Sequence, residues 1–187
     1  LVAMTQKKLI GVRDPRGVRP LVLGKLDNAY ILASETCALD IIDAEYIRDI
    51  EPGEIVVIDE SGVQSIKPFA KLPDRFCVFE YIYFARPDSV MEGKNVYEVR
   101  KRIGAELAKE ENVAADVIVP VPDSGVPAAI GYAEESNIPF DLGIIRNHYM
   151  GRTFIEPSAE IRNLGVRLKH NANAAYLAGK RVVLVDD

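Results

Sequence analysis

The 187 residues are 48% hydrophobic and 27% charged with a formal net charge of −5, an ordinary globular balance with room for one large domain or two small ones. That charge excludes a surface that tracks nucleic-acid phosphates, which needs Lys and Arg in clustered excess. No apolar run is long enough to span a bilayer, and Leu1-Val2-Ala3-Met4-Thr5 lacks the basic start and long apolar stretch of a signal peptide, so a cytoplasmic location or an organellar lumen such as a plastid is expected, with no membrane partner. Without a secretory signal, Cys37 and Cys77 are expected as reduced thiols, Cys37 packing in the core.

The chain opens on a strand-like run without Met and stops at Val185-Asp186-Asp187 just after another, so both ends are expected to fall within folded structure. In the first third, short β-like runs cover Leu1 to Met4, Lys8 to Val12, Pro20 to Gly24, Tyr30 to Ser34, Glu54 to Ile58 and Val63 to Ile66. Turn signals at Asp14-Pro15-Arg16-Gly17, Asp27-Asn28, Glu51-Pro52-Gly53 and Ser61-Gly62 separate them, which predicts antiparallel strands. A short helix is expected from about Cys37 to Asp43, with Glu35 at its start. So few elements cannot cover both faces of a sheet sandwich, and the missing half is expected upstream.

Pro68, Pro73 and Pro87 punctuate a switch of character near 71–88. From Lys94, Val96, Val99, Ile103, Leu107 and Ala108 recur at helical spacing. Asp116 to Val121 reads as a buried strand, and Asp123-Ser124 opens a second helix through Ala133. Phe140 to Ile145 and Arg181 to Val185 read as further buried strands. Strands alternating with helices predict an α/β domain with parallel strands.

Two strand ends carry candidate chemistry. Val182 to Val185 delivers Asp186 and Asp187 to the carboxyl edge of the sheet, where open α/β folds bind ligands, and adjacent side chains there point to opposite sides. A solvated strand end or a helix cap explains the doublet alone equally well. At Val119-Pro120-Val121-Pro122-Asp123-Ser124-Gly125 a second strand-to-helix junction offers backbone N–H groups and a positive helix end to a phosphate or pyrophosphate, and Ser124 offers a hydroxyl to Mg²⁺. An N-cap by Asp123 or Ser124 is the structural alternative. Between the two, Arg146 to Ile155 mixes cationic donors, aromatics and a glycine hinge, as a closing loop would. His148 and His170 lack metal-site spacing and are read as non-catalytic. Neither cysteine has a nucleophile signature.

Three long strings then carry a resemblance. Gly11-Val12-Arg13-Asp14-Pro15-Arg16-Gly17-Val18-Arg19-Pro20-Leu21, Phe79-Glu80-Tyr81-Ile82-Tyr83-Phe84-Ala85-Arg86-Pro87-Asp88-Ser89 and Gly151-Arg152-Thr153-Phe154-Ile155 resemble the glutamine phosphoribosylpyrophosphate amidotransferases, and the match runs essentially end to end as an interior fragment. The resemblance implies an α+β and α/β fold: the C-terminal part of an N-terminal-nucleophile glutaminase sandwich over 1–72, an interdomain connection over 73–93, and the first part of a type I phosphoribosyltransferase parallel-sheet domain over 94–187. It implies a transferase that joins glutamine-derived ammonia to phosphoribosyl pyrophosphate in the first step of purine synthesis, with purine nucleotides as feedback inhibitors and a homo-oligomeric state. By motif, Asp123, Ser124, Gly125, Val126, Asp186 and Asp187 resemble the substrate-binding set, Ser124, Asp186 and Asp187 the Mg²⁺ set, and Arg146 a regulatory nucleotide position. Tyr149, Arg152 and Ile155 resemble residues at the ammonia passage, the first two in catalytic roles. Cys77 matches a ligand of the iron–sulfur cluster some members carry, a cluster that takes four thiolates, while packing as a buried thiol is the alternative, since members without the cluster can also carry a cysteine there.

The family's catalytic cysteine and its glycine- and threonine-rich phosphate loop have no counterpart in these residues, so the segment alone is expected to be inactive. Two other readings stand beside this one. The acidic doublet permits a simple phosphoribosyltransferase acting on a nitrogenous base, against which the β-rich first third argues. A non-catalytic nucleotide-binding or assembly module is the alternative from another class.

Overall fold

The computed structural model describes residues 1–111, 113–149 and 165–187. The chain divides into two compact units, Leu1–Tyr97 and Glu98–Asp187.

The first unit is built from antiparallel strands. β1 (Val2–Met4), β2 (Leu9–Val12), β6 (Ile55–Asp59) and β7 (Gly62–Ile66) form a sheet of order β1-β2-β6-β7. A second sheet, β4-β3-β5, comprises β3 (Val22–Leu26), β4 (Ala29–Ala33) and β5 (Glu45–Asp49). β5 is absent from the sequence reading because Glu45-Tyr46-Ile47-Arg48-Asp49 mixes charge and apolar character without a clean period, and its first three residues are exposed. Leu21, Leu23, Ile50 and Val56 form the core, with Leu32 and Ile58 against them. Gly11 lets the sheets approach: a Cβ there would lie 2.7 Å from a Leu32 methyl.

The helix expected over 37–43 is a single turn, α1 (Cys37–Asp40), N-capped by Thr36 without a side-chain bond. Glu35 serves elsewhere. Its Oε2 accepts from the Arg86 N–H and the Ser89 hydroxyl, each at 2.8 Å, while Thr36 Oγ1 accepts from the Val90 N–H. The 75–90 segment is thereby fastened to the sheets, and the Arg75 and Cys77 N–H groups donate to the Arg16 and Val18 carbonyls. Within it, Glu80–Phe84 forms one turn of π-helix, followed by a small hairpin of β8 (Val90–Met91) and β9 (Lys94–Asn95).

The string Gly11 to Leu21 has structural work in this unit. Arg13 is buried, and its guanidinium donates to the carbonyls of Arg19, Ile50 and Gly17 and to Glu92 Oε1 at 2.7 Å. Gly17 turns with φ +62°, and a Cβ there would meet Pro52 at 2.8 Å, so a side chain would be both strained and crowded.

α2 (Val96–Glu110) leads into the second unit. Its buried stripe is Val96, Arg100, Gly104 and Ala108, whereas Ile103 and Leu107 are exposed. β10 (Val117–Pro120), buried throughout, pairs in parallel with β13 (Val182–Val185), as its apolar run predicts. α3 (Val126–Ser136) follows β10 and packs on both strands. The core gathers Ala108, Ile118, Ala129, Tyr132, Ala133 and Val185.

The single strand expected over 140–145 is two features. Phe140 makes a parallel bridge to Ile118, while β11 (Ile144–Arg146) leaves that sheet and pairs antiparallel with β12 (His170–Ala172). Asp141, Leu142 and Gly143 separate them, with the Asp141 carboxylate accepting from the Leu142 N–H at 2.7 Å, a local side-chain bond that interrupts a ladder.

Candidate functional site

The site lies in the second unit, at the carboxyl ends of β10 and β13. The parallel register aligns Pro120 with Val185, so the loop after β10 and the acids after β13 emerge side by side. The Val121 N–H donates to the Val185 carbonyl at 2.8 Å and carries the loop across the strand end. Gly125 completes the crossing: a Cβ there would stand 2.3 Å from the Val185 carbonyl oxygen and 3.2 Å from Asp186 Cα. Only glycine lets the start of α3 lie so close to the doublet. The Pro122–Asp123 peptide of this loop is cis.

α3 begins with Gly125 as N-cap and no side-chain cap bond. The capping alternative for Asp123 and Ser124 is therefore not realised, and both side chains point to other partners. The Ser124 hydroxyl faces Asp186 Oδ1 at 3.5 Å, the long limit of a hydrogen bond, and the same oxygen accepts from the Asp187 N–H at 3.0 Å. The crowding of loop on strand end desolvates the Asp186 carboxyl and pushes it above the ordinary carboxylate range, with the Asp187 side chain adding to the rise and the Asp187 N–H and Ser124 hydroxyl opposing it. Ser124, Asp186 and Asp187 are hard oxygen donors gathered on one edge, which suits Mg²⁺.

The Asp123 carboxylate forms an ion pair with Arg146 Nη1. β11 delivers Arg146, and its register partner on β12 is His170. Arg146 Nε and His170 Nε2 are both buried without a hydrogen-bond partner among the described residues. Each such group costs about 1–3 kcal/mol. His170, read from sequence as non-catalytic, is brought beside Arg146 by this hairpin, a juxtaposition that nothing local to His170 announces.

Of the remaining sequence candidates, Val126 is the first residue of α3. Tyr149 is fully exposed, with its N–H donating to Asn147 Oδ1 at 3.0 Å. Arg152 and Ile155 lie outside the described residues. In the first unit Cys77 is a free, half-buried thiol, and Cys37 is buried, its thiol raised mainly by that burial. Among the described residues no group of three or more His, Cys, Asp or Glu side chains is placed to hold a metal, so these cysteines do not by themselves build a cluster site. No helix among the described residues is long and apolar enough to cross a membrane.

Comparison with known proteins follows the same lines. No protein-family model matches the chain. Along its whole length it is 62% identical to an amidophosphoribosyltransferase of Rhizobium etli and 55% identical to a chloroplastic amidophosphoribosyltransferase of Glycine max, of which it spans 39% and 33%. Among solved structures, the glutamine phosphoribosylpyrophosphate amidotransferase of B. subtilis, determined with ADP and GMP, superposes with a TM-score of 0.89 at 49% identity, over 99% of this chain and 41% of that one. The resemblance read from the three strings is borne out, and the chain spans between 33% and 41% of these relatives.

Proposed function

We propose that this chain is part of an amidophosphoribosyltransferase, which makes 5-phosphoribosylamine from phosphoribosyl pyrophosphate and ammonia released from glutamine, at the first step of purine synthesis. The observation that carries the reading is the loop 121–125 laid over the end of β13, with Ser124, Asp186 and Asp187 on one edge. It is joined by similarity along the whole of this chain to part of the proteins of that name. In this reading residues 1–72 belong to the glutaminase domain, 73–93 connect, and 94–187 begin the phosphoribosyltransferase domain.

Ser124, Asp186 and Asp187 would hold Mg²⁺, which neutralises charge growing on the departing pyrophosphate. The loop from Asp123 to Val126 receives pyrophosphate oxygens on backbone N–H groups and at the positive end of α3. Asp186, its carboxyl raised by crowding, gains from a cation or a sugar hydroxyl, because either replaces the solvation that burial removes. By the resemblance, Tyr149 and Arg152 would take the catalytic roles, which include keeping water from the reacting carbon. Arg146 reads the phosphate of a purine nucleotide inhibitor, a role consonant with the nucleotides bound in the B. subtilis enzyme. The functional unit is a homo-oligomer in the cytoplasm or a plastid. An iron–sulfur cluster carried by Cys77 would take its other ligands from outside these residues, and no step above depends on one.

The test is Mg²⁺-dependent phosphoribosylamine formation by the full-length protein, with glutamine and then ammonia as donor. Asp186→Ala with Asp187→Ala is expected to lower the rate with both donors by at least about a hundredfold. A wild type inert with both donors overturns the reading in favour of a binding module.

A further inference from the structure

His170 has no part in the site as read from sequence, yet the fold carries it there. Its backbone pairs with that of Arg146 across β11 and β12, and directly paired residues of antiparallel strands project to the same face. Arg146 Nε and His170 Nε2 are both hidden from solvent without a partner among the described residues. A guanidinium keeps all its protons, so Nε is a permanent donor in want of an acceptor, and an imidazole with its proton on Nε2 is a second. Among the described residues, the acceptor the guanidinium has found is the Asp123 carboxylate, on Nη1. Asp123 belongs to the loop before α3, an eleven-residue helix with no side-chain cap, and its side chain is 59% exposed and free to turn outward.

We infer that Arg146 and His170 together form a receptor for a phosphate oxyanion, and that Asp123 occupies Arg146 as a latch until the anion displaces it. A carboxylate and a phosphate present the same kind of acceptor oxygen to a guanidinium, so Asp123 stands in for the ligand in the free chain. A phosphate oxygen seated on the face that the two side chains share accepts from both nitrogens, and the released Asp123 is solvated. The anion is either the pyrophosphate of a phosphoribosyl donor or the phosphate of a purine nucleotide. Both sources rest on the function proposed above, whereas the receptor itself rests only on the three side chains.

The experiment uses the full-length protein and three variants. His170→Leu removes the donor, His170→Gln keeps an N–H near the Nε2 position, and Asp123→Asn opens the latch. For His170→Leu we expect about a tenfold rise either in KM for phosphoribosyl pyrophosphate or in the inhibition constant for GMP, the cost of one charge-assisted hydrogen bond. The quantity that moves identifies the source of the phosphate. His170→Gln is expected to restore most of the loss, which a purely packing role of the ring would not do. Calorimetric titration with inorganic pyrophosphate, needing no turnover, separates this inference from the proposed function. There His170→Leu binds more weakly than wild type and Asp123→Asn several-fold more tightly. Equal pyrophosphate affinity in wild type and both His170 variants, or weaker binding in Asp123→Asn, overturns the inference even in an active enzyme. An enzyme without phosphoribosylamine synthesis whose variants still show the ordered affinities overturns only the function.

Discussion

Glu54 is among the most buried side chains of the chain, with 1% of its surface exposed, and it remains charged. Burial by itself would raise its carboxyl, but Arg48 donates to both oxygens at 2.6 and 2.8 Å, Ser65 donates at 2.6 Å and the Glu51 N–H at 2.8 Å, and together they hold it at about 2. A carboxyl depressed on folding stabilises the fold above its unfolded value and loses that contribution as pH falls through its folded value. The first unit should therefore lose stability between about pH 4.5 and pH 2, by about 3 kcal/mol at most from this group. Glu54→Gln should flatten that acid limb in denaturation followed by circular dichroism, while costing about 3 kcal/mol or more at pH 7 because Arg48 loses its partner. An unchanged acid limb would contradict this account. The sequence shows Glu54 only as the start of an apolar run, since its partners come from β5, from the turn at Glu51 and from β7.

At the scale of elements, the crossing of α2 and α3 departs most from what periodicity predicts. The apolar positions Val99, Ile103 and Leu107 mark one face of α2, but the face that meets α3 is the one holding Gly104. A Cβ on Gly104 would lie 1.8 Å from the Ala128 carbonyl oxygen, and one on Gly131 would lie 1.8 Å from that of Lys101. The helices touch backbone to backbone through two reciprocal glycines. Gly→Ala within a helix ordinarily gains up to about 1 kcal/mol. Here Gly104→Ala and Gly131→Ala should each instead destabilise by about 2 kcal/mol or more, because backbone cannot yield as a flexible side chain can. Urea melts of the two variants check this, and a gain in stability would refute it. Periodicity finds the apolar stripe but is blind to a contact made by the absence of side chains. The strands of the first unit, by contrast, lie within a residue or two of their expected places wherever alternation and turn residues agree, and β5 was lost where they do not.

For the molecule as a whole, the two units differ in how their sheets close. The first surrounds its core with two antiparallel sheets, while in the second β13 pairs only with β10 among the described residues. Leu184 on β13 is 57% exposed, and Val182, Leu142 and Ile145 are also exposed. Apolar side chains left open along a strand edge bind hydrophobic dyes and invite association. These 187 residues expressed alone should accordingly bind anilinonaphthalene sulfonate several-fold more strongly than the same mass of full-length protein. Equal dye fluorescence would show that the segment buries this surface unaided. The amino-acid sequence by itself determined the element types, the family resemblance, and the two strand ends at which Asp123, Ser124, Asp186 and Asp187 stand, because hydrophobic period, turn residues and motif order are local properties. Tertiary structure alone decided that Ser124 faces Asp186, that Asp123 holds Arg146, that Gly125 is the point where loop meets strand, and that His170 joins them. Each of these pairings is set by strand register and by backbone approach between segments distant in sequence, and no local pattern encodes either.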